Sequence, residues 1–172
     1  MTLEIALEAD GEWDSSRPWD ALVRRAAEAA IAESAYPDLA RSGRPVELSV
    51  RLTSDEQVRA LNAKWRGKDK PTNVLSFPMA EEYELSDENV ASRELLLGDI
   101  ILAHGVCEGE AADKAVPFEE HAAHLVVHGT LHLLGHDHET SEADAERMEA
   151  LERRILAKLG IADPYEERDA YF

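Results

Sequence analysis

Six of the chain's seven histidines fall between positions 121 and 138: His121, His124, His128, His132, His136 and His138. His128 and His132 are four residues apart in an apolar stretch that reads as a helix. At that spacing two side chains stand one above the other on the same face. Both imidazoles can then reach one cation at about 2.0–2.1 Å, the zinc–nitrogen distance. Gly135 follows His132 by three residues and permits a sharp left-handed turn. That turn can carry His138 back towards the first two. Three histidines and an open fourth position form the ligand set of a catalytic zinc ion, not of a closed structural one. Imidazole ligands favour zinc, copper, nickel or iron over magnesium.

Not every histidine fits one ion. His124, His128 and His132 form a straight stripe whose ends are about 12 Å apart along the axis, too far for easy convergence. The expected ligands are therefore His128, His132 and His138. His136 points elsewhere if His138 ligates, and His121 and His124 serve as outer hydrogen-bonding or solvent groups. Asp137 either orients a ligand or caps the turn. The spacing matches the three-histidine signature of metzincin peptidases. Their general base, a glutamate directly after the first histidine, is here Gly129, and glycine cannot take a proton.

The elements that must position these residues follow from patterning. Leu3, Ile5 and Leu7 alternate with polar or small residues, as do Val46, Leu48, Val50 and Leu52, and both runs predict strands. Between them, after Pro18, Trp19 to Ala35 has the three- and four-residue recurrence of an amphipathic helix. Ser54 and Gln57 suit a capping box for a helix carrying Val58, Leu61 and Trp65 to Gly67. Asn73–Phe77 predicts a short strand, residues 80–94 an exposed loop, and Leu95–Leu102 a strand interrupted at Gly98-Asp99. Three helices close the chain: His104–Asp113, Pro117 to about Leu134, and one from Ser141 to Leu159. The middle one is apolar nearly all round at Leu125-Val126-Val127 and so is expected to be buried. The fold class is α+β, a small mixed four-stranded sheet packed with about five helices, the metal helix being zincin-like. One domain is expected over residues 1–162, with a loosely ordered polar tail over 163–172.

The formal net charge is −18 over 172 residues, and 44% of residues are hydrophobic. That acidity opposes non-specific binding to nucleic acid or anionic membranes. No apolar run reaches membrane-span length. The first residues lack a signal-peptide pattern, which makes a cytoplasmic location the expectation. The single Cys107 cannot form an internal disulfide; among small apolar neighbours it reads as a buried structural residue rather than a nucleophile. Lys64, Arg66, Lys68 and Lys70 place four cations within seven residues. Charge alone leaves a solvated basic loop and a phosphate-binding patch equally open.

The run His128-Gly129-Thr130-Leu131-His132-Leu133-Leu134-Gly135-His136-Asp137-His138 resembles the motif H-G-x-L-H-L-x-G-[YF]-D-H of the YbeY family. Leu61-Asn62, the segment from Trp65 to Pro78, and Leu97-Gly98-Asp99-Ile100 resemble it too, in the family's order. The departure is His136, where an aromatic residue is usual. The resemblance implies a single-strand-specific, zinc-dependent endoribonuclease of ribosomal RNA processing, at the small-subunit 3′ end, and of ribosome quality control. It implies one zinc ion at His128, His132 and His138 and a functional Arg66, which tips the basic segment towards phosphate contact. Ribosomal RNA and the small subunit, with ribosomal or assembly proteins, are the implied partners. Thr72 and Ser76 either line the site or serve the turn and strand. Two rival functions stand beside this one: a metzincin-like metallopeptidase and a non-catalytic, zinc-stabilised ribosome-assembly factor.

Overall fold

The computed structural model describes residues 2–14, 16–40, 43–86, 94–136 and 141–165. The chain runs β1 (Thr2–Ala9), α1 (Trp19–Glu33), a 3₁₀ turn at Pro37–Ala40, β2 (Pro45–Thr53), α2 (Asp55–Arg66) and β3 (Val74–Pro78). It continues α3 (Glu82–Ser86), β4 (Leu95–Ala103), α4 (His104–Lys114), α5 (Phe118–Leu133) and α6 (Glu142–Lys158). The sheet order is β1-β2-β4-β3. β1 and β4 run parallel to β2, and β3 is an antiparallel edge on β4. This is the mixed four-stranded α+β arrangement that patterning predicts.

One face of the sheet is buried along its whole width, and the other is covered at its β3–β4 side. Val46, Leu48, Val50 and Leu52 of β2 join Leu95, Leu97, Ile100 and Leu102 of β4 in the main core, with α1, α5 and α6. On the opposite face Leu75, Ile101 and Ala103 pack with Val58 of α2. Burial on both sides explains why β4 is apolar almost throughout.

The interruption expected at Gly98-Asp99 is a bulge. Glu47 pairs with Leu96 but Leu48 pairs with Gly98, which leaves Leu97 as the extra residue. The bulge keeps Leu95 and Leu97, then Ile100 and Leu102, on one face. Gly98 has φ 139°, and a Cβ there would lie 2.2 Å from the Phe77 carbonyl oxygen of β3. Only glycine allows the edge strand to approach this closely.

Two expectations need correction. The described part of 80–94 is not simply an exposed loop. It contains α3, whose Leu85 is buried in the main core, while Arg44 donates to the Glu84 carbonyl at 2.7 Å. One apolar anchor in an acidic run is enough to tie the segment down. The segment from Asp163 is also not loose at its start. Tyr165 N–H donates to Asp163 Oδ1 at 2.8 Å, Arg153 Nε donates to the same carboxylate at 3.1 Å, and the Arg153 guanidinium lies over the Tyr165 ring. Residues 166–172 lie outside the described residues.

Candidate metal centre

Helix α5 presents a histidine stripe at steps of three and four residues, and the role changes along it. His121 Nε2 lies 2.8 Å from Glu110 of α4. His124 Nε2 and His128 Nδ1 each lie 3.0 Å from the same oxygen, Oε1 of Glu152 on α6. His128 and His132 line a cavity of about 500 Å³, together with Arg66, Lys68, Thr72, Asn73, Ser76 and Gly135. The stripe is therefore anchored at its N-terminal end and open at its C-terminal end. His121 and His124 are buried, which settles their role as hydrogen-bonding groups rather than solvent groups.

The rings of His128 and His132 have centroids 4.7 Å apart and planes inclined by 64°. Two imidazoles whose nitrogens sit 2.0–2.1 Å from a shared tetrahedral ion place their centroids roughly 5 Å apart. The pair thus fits one cation. Glu152 takes Nδ1 of His128, so Nε2 is the nitrogen that would ligate. His138 and Asp137 lie outside the described residues, and among the described residues no group of three metal-binding side chains converges.

The chain leaves α5 as expected. Gly135 N–H donates to His132 O, and His136 N–H donates to Leu131 O, both at 3.0 Å. With Gly135 at φ 89°, this is a Schellman stop. His136 is half-buried, and burial holds its imidazole below the usual histidine pKa. Its Nε2 accepts the Ala35 N–H at 3.2 Å. One ring nitrogen of His136 is thereby turned to the end of α1. Gly129, the position of the missing base, is packed on β4: a Cβ there would stand 3.0 Å from Ile100.

The cavity's other wall comes from the end of α2 and from β3. Ser54 caps α2 by accepting the Gln57 N–H, and Gly67 ends it with φ 68°. Arg66 on the last turn and Lys68 just beyond it reach the cavity. Both alternatives left open for Thr72 and Ser76 hold: Ser76 is in β3, and both residues line the cavity. Asn73 is held from behind. Its Nδ2 donates to Glu110 at 3.1 Å and its Oδ1 accepts the Val74 N–H at 2.7 Å. Burial works to raise the Glu110 pKa, but hydrogen bonds from His121 and Asn73 lower it on balance.

Among the described residues lining the cavity there is no carboxylate. In a protein of net charge −18, the charged side chains among the described lining residues, apart from the histidines, are thus Arg66 and Lys68. That contrast favours an anionic ligand.

Sequence reasoning missed Glu152. It is 1% exposed, and burial raises its pKa while bonds to His124 and His128 outweigh that, bringing it down to about 2. A signal was present. Met148, Leu151, Glu152, Ile155 and Leu156 form the buried stripe of α6, so the glutamate stands where the helix period calls for an apolar residue. Cys107 is fully buried, and burial pushes its thiol pKa up, consistent with a structural residue.

Fold and cavity define a class: an α+β protein whose long buried helix delivers paired imidazoles to a cleft lined by Arg66 and Lys68 beside an antiparallel edge strand. A family model described as "Endoribonuclease YbeY" matches residues 9–160, and the chain belongs to this family. It is 52% identical over 169 residues to "Endoribonuclease YbeY" of Novosphingobium aromaticivorans, covering 96% of this chain and 97% of that one. The protein of the same description from Rhizorhabdus wittichii is 50% identical over 164 residues, covering 95% and 96%. The solution structure of TM1509 from Thermotoga maritima superposes with a TM-score of 0.54 at 25% identity, over 95% of this chain and all of that one.

Proposed function

We propose that the protein is a zinc-dependent, single-strand-specific endoribonuclease of the cytoplasm. Its substrate is ribosomal RNA, cut in maturation of the small-subunit 3′ end and in ribosome quality control. One zinc ion is held by His128, His132 and His138. The observation that carries this reading is the single cavity that brings His128 and His132 together with Arg66 and Lys68. Membership of an endoribonuclease family supports it.

The chain's own groups divide the work. His128 and His132 hold the cation from successive turns of α5. Zinc bound there supplies a Lewis acid for the phosphodiester and lowers the pKa of water. Arg66 presents a planar fork to the non-bridging phosphate oxygens and stabilises the charge that develops on them. Lys68 adds a second positive charge, and Thr72 and Ser76 offer hydroxyls along the sugar–phosphate path. No described cavity residue is a carboxylate base, so the attacking oxygen is either that of water or the RNA's own 2′-hydroxyl. Cyclic 2′,3′-phosphate ends would identify the 2′-hydroxyl; 3′-hydroxyl or non-cyclic phosphate ends formed in one step would identify water.

The test is metal analysis and RNA cleavage by wild type, His132→Ala and Arg66→Ala. We expect one zinc per chain in wild type, bound much more weakly in His132→Ala, with no cutting of single-stranded RNA by His132→Ala and cutting lowered about 10²–10³-fold in Arg66→Ala. Equal metal in wild type and His132→Ala would overturn the ligand assignment. Cleavage that survives chelation would overturn the metal dependence. If no RNA is cut while ribosome assembly is still supported by Arg66→Ala, the protein is a non-catalytic assembly factor. The peptidase reading is disfavoured, because Gly129 carries no base and a Cβ there would already crowd Ile100 at 3.0 Å.

A further inference from the structure

Glu152 is a carboxylate buried to 1% exposure inside the apolar stripe of α6. Among the described residues no lysine or arginine hydrogen-bonds to it. Three neutral-type donors surround it instead. Oε1 is 3.0 Å from both His124 Nε2 and His128 Nδ1, and Oε2 accepts the Tyr165 hydroxyl at 2.9 Å. A buried charge is retained only where each lone pair is used. The arrangement fixes hydrogens as well as positions. A carboxylate only accepts, so His128 must carry its proton on Nδ1 and His124 on Nε2. His124 Nδ1 is then a bare lone pair, and it is the ring atom that has no hydrogen-bond partner. An orphan there is tolerable as an acceptor, not as a charged donor.

Tyr165 reaches this point because its segment is pinned. Asp163 binds both the Tyr165 N–H and Arg153. The phenol ring meets His124 edge-on, with centroids 5.6 Å apart. Tyr165 lies beyond the stretch 9–160 that the family model matches.

We propose that Glu152 is a positioning residue for the metal site, holding His128 in the Nδ1–H tautomer that presents Nε2 to the cation, and that Tyr165 completes the carboxylate's bonding from the C-terminal segment. The metal part of this inference rests on reading His128 as a zinc ligand; the tautomer part does not. Partners of ligating histidines alter metal affinity by about 10- to 100-fold when removed.

Two measurements test it on the full chain. Zinc affinity is measured by chelator competition for wild type, Glu152→Gln, Tyr165→Phe, His128→Ala and the double variant His128→Ala/Glu152→Gln. Glu152→Gln should weaken zinc binding about 10- to 100-fold, and Tyr165→Phe, which deletes one hydroxyl, about 2- to 10-fold. In the His128→Ala background Glu152→Gln should cost nothing further, because the effect passes through His128. A purely structural role would weaken zinc equally in both backgrounds and would overturn the proposal. Unchanged affinity in both Glu152→Gln and Tyr165→Phe would overturn it too. The second measurement needs no metal: two-bond ¹H–¹⁵N spectra of the apo protein at neutral pH. His128 should be protonated on Nδ1 in wild type and shift towards the Nε2–H form in Glu152→Gln. An Nε2–H tautomer in wild type would sink the inference even if zinc binds. If wild type binds no zinc yet shows the Nδ1–H form, the metal reading fails and the positioning role of Glu152 stands. Should Glu152→Gln not fold, Tyr165→Phe carries both readouts.

Discussion

The contact of Gly98 with β3 supports the most quantitative prediction. In Gly98→Ala the new Cβ would start 2.2 Å from the Phe77 carbonyl oxygen and 3.0 Å from Leu133 Cδ2. The nearest obstacle is backbone in a paired strand, so it cannot swing aside as a side-chain tip would. Overpacking of this kind costs about 1–3 kcal/mol. The φ of 139° adds about 1–3 kcal/mol for any residue with a Cβ. Together they amount to about 2–6 kcal/mol, a large part of the roughly 5–15 kcal/mol that holds a domain folded. Tm should fall by about 10 °C, at about 2–4 °C per kcal/mol for a chain of this size. Gly135→Ala is the control: φ is 89° but no atom of the described residues lies within 4 Å of the added carbon, so the backbone term of about 1–3 kcal/mol dominates. Urea melts of both variants give the comparison. A Gly98→Ala protein as stable as Gly135→Ala would refute the steric argument. A cleavage defect should accompany the instability, because Pro78 pairs with Gly98 and lines the cavity.

Other outcomes follow from the same geometry. Arg66→Ala should lower kcat/KM on single-stranded RNA by about 10²–10³ without altering the far-ultraviolet spectrum or the melt, since Arg66 is exposed; Arg66→Lys should restore it only in part, and full activity in Arg66→Ala would remove arginine from the reaction. If Lys64, Arg66, Lys68 and Lys70 all meet phosphates, log Kd for a short single strand should change with log salt by a slope of magnitude about 3; a slope near zero would exclude the basic segment. Cys107, buried with a raised pKa, should react with a thiol reagent only at the rate of unfolding. Rapid labelling of the folded protein would contradict its place in the core.

Local rules decided a good deal in advance. The four-residue spacing of His128 and His132 sets a shared face in any α-helix, and Gly135 stops that helix wherever it packs. The alternation of β2 names its buried face, and Ser54 caps α2 through a bond spanning three residues. Each is a short-range consequence of backbone geometry and can be read one segment at a time.

What tertiary structure alone decided are the meetings between segments distant in sequence. Arg66 and His132 share a cavity because β3 pairs antiparallel to β4 above α5. Leu85 anchors an acidic run because the fold packs it into the main core. His124 and His128 are 28 and 24 residues from the carboxylate that holds them, and Tyr165 reaches it from a tail with no helical or strand period. Periodicity reports which residues are buried but not what they are buried against. The fold supplies the partner that turns Glu152 from a misplaced charge into a support for His128, because only in the folded state are desolvation and hydrogen bonding set against each other at one point.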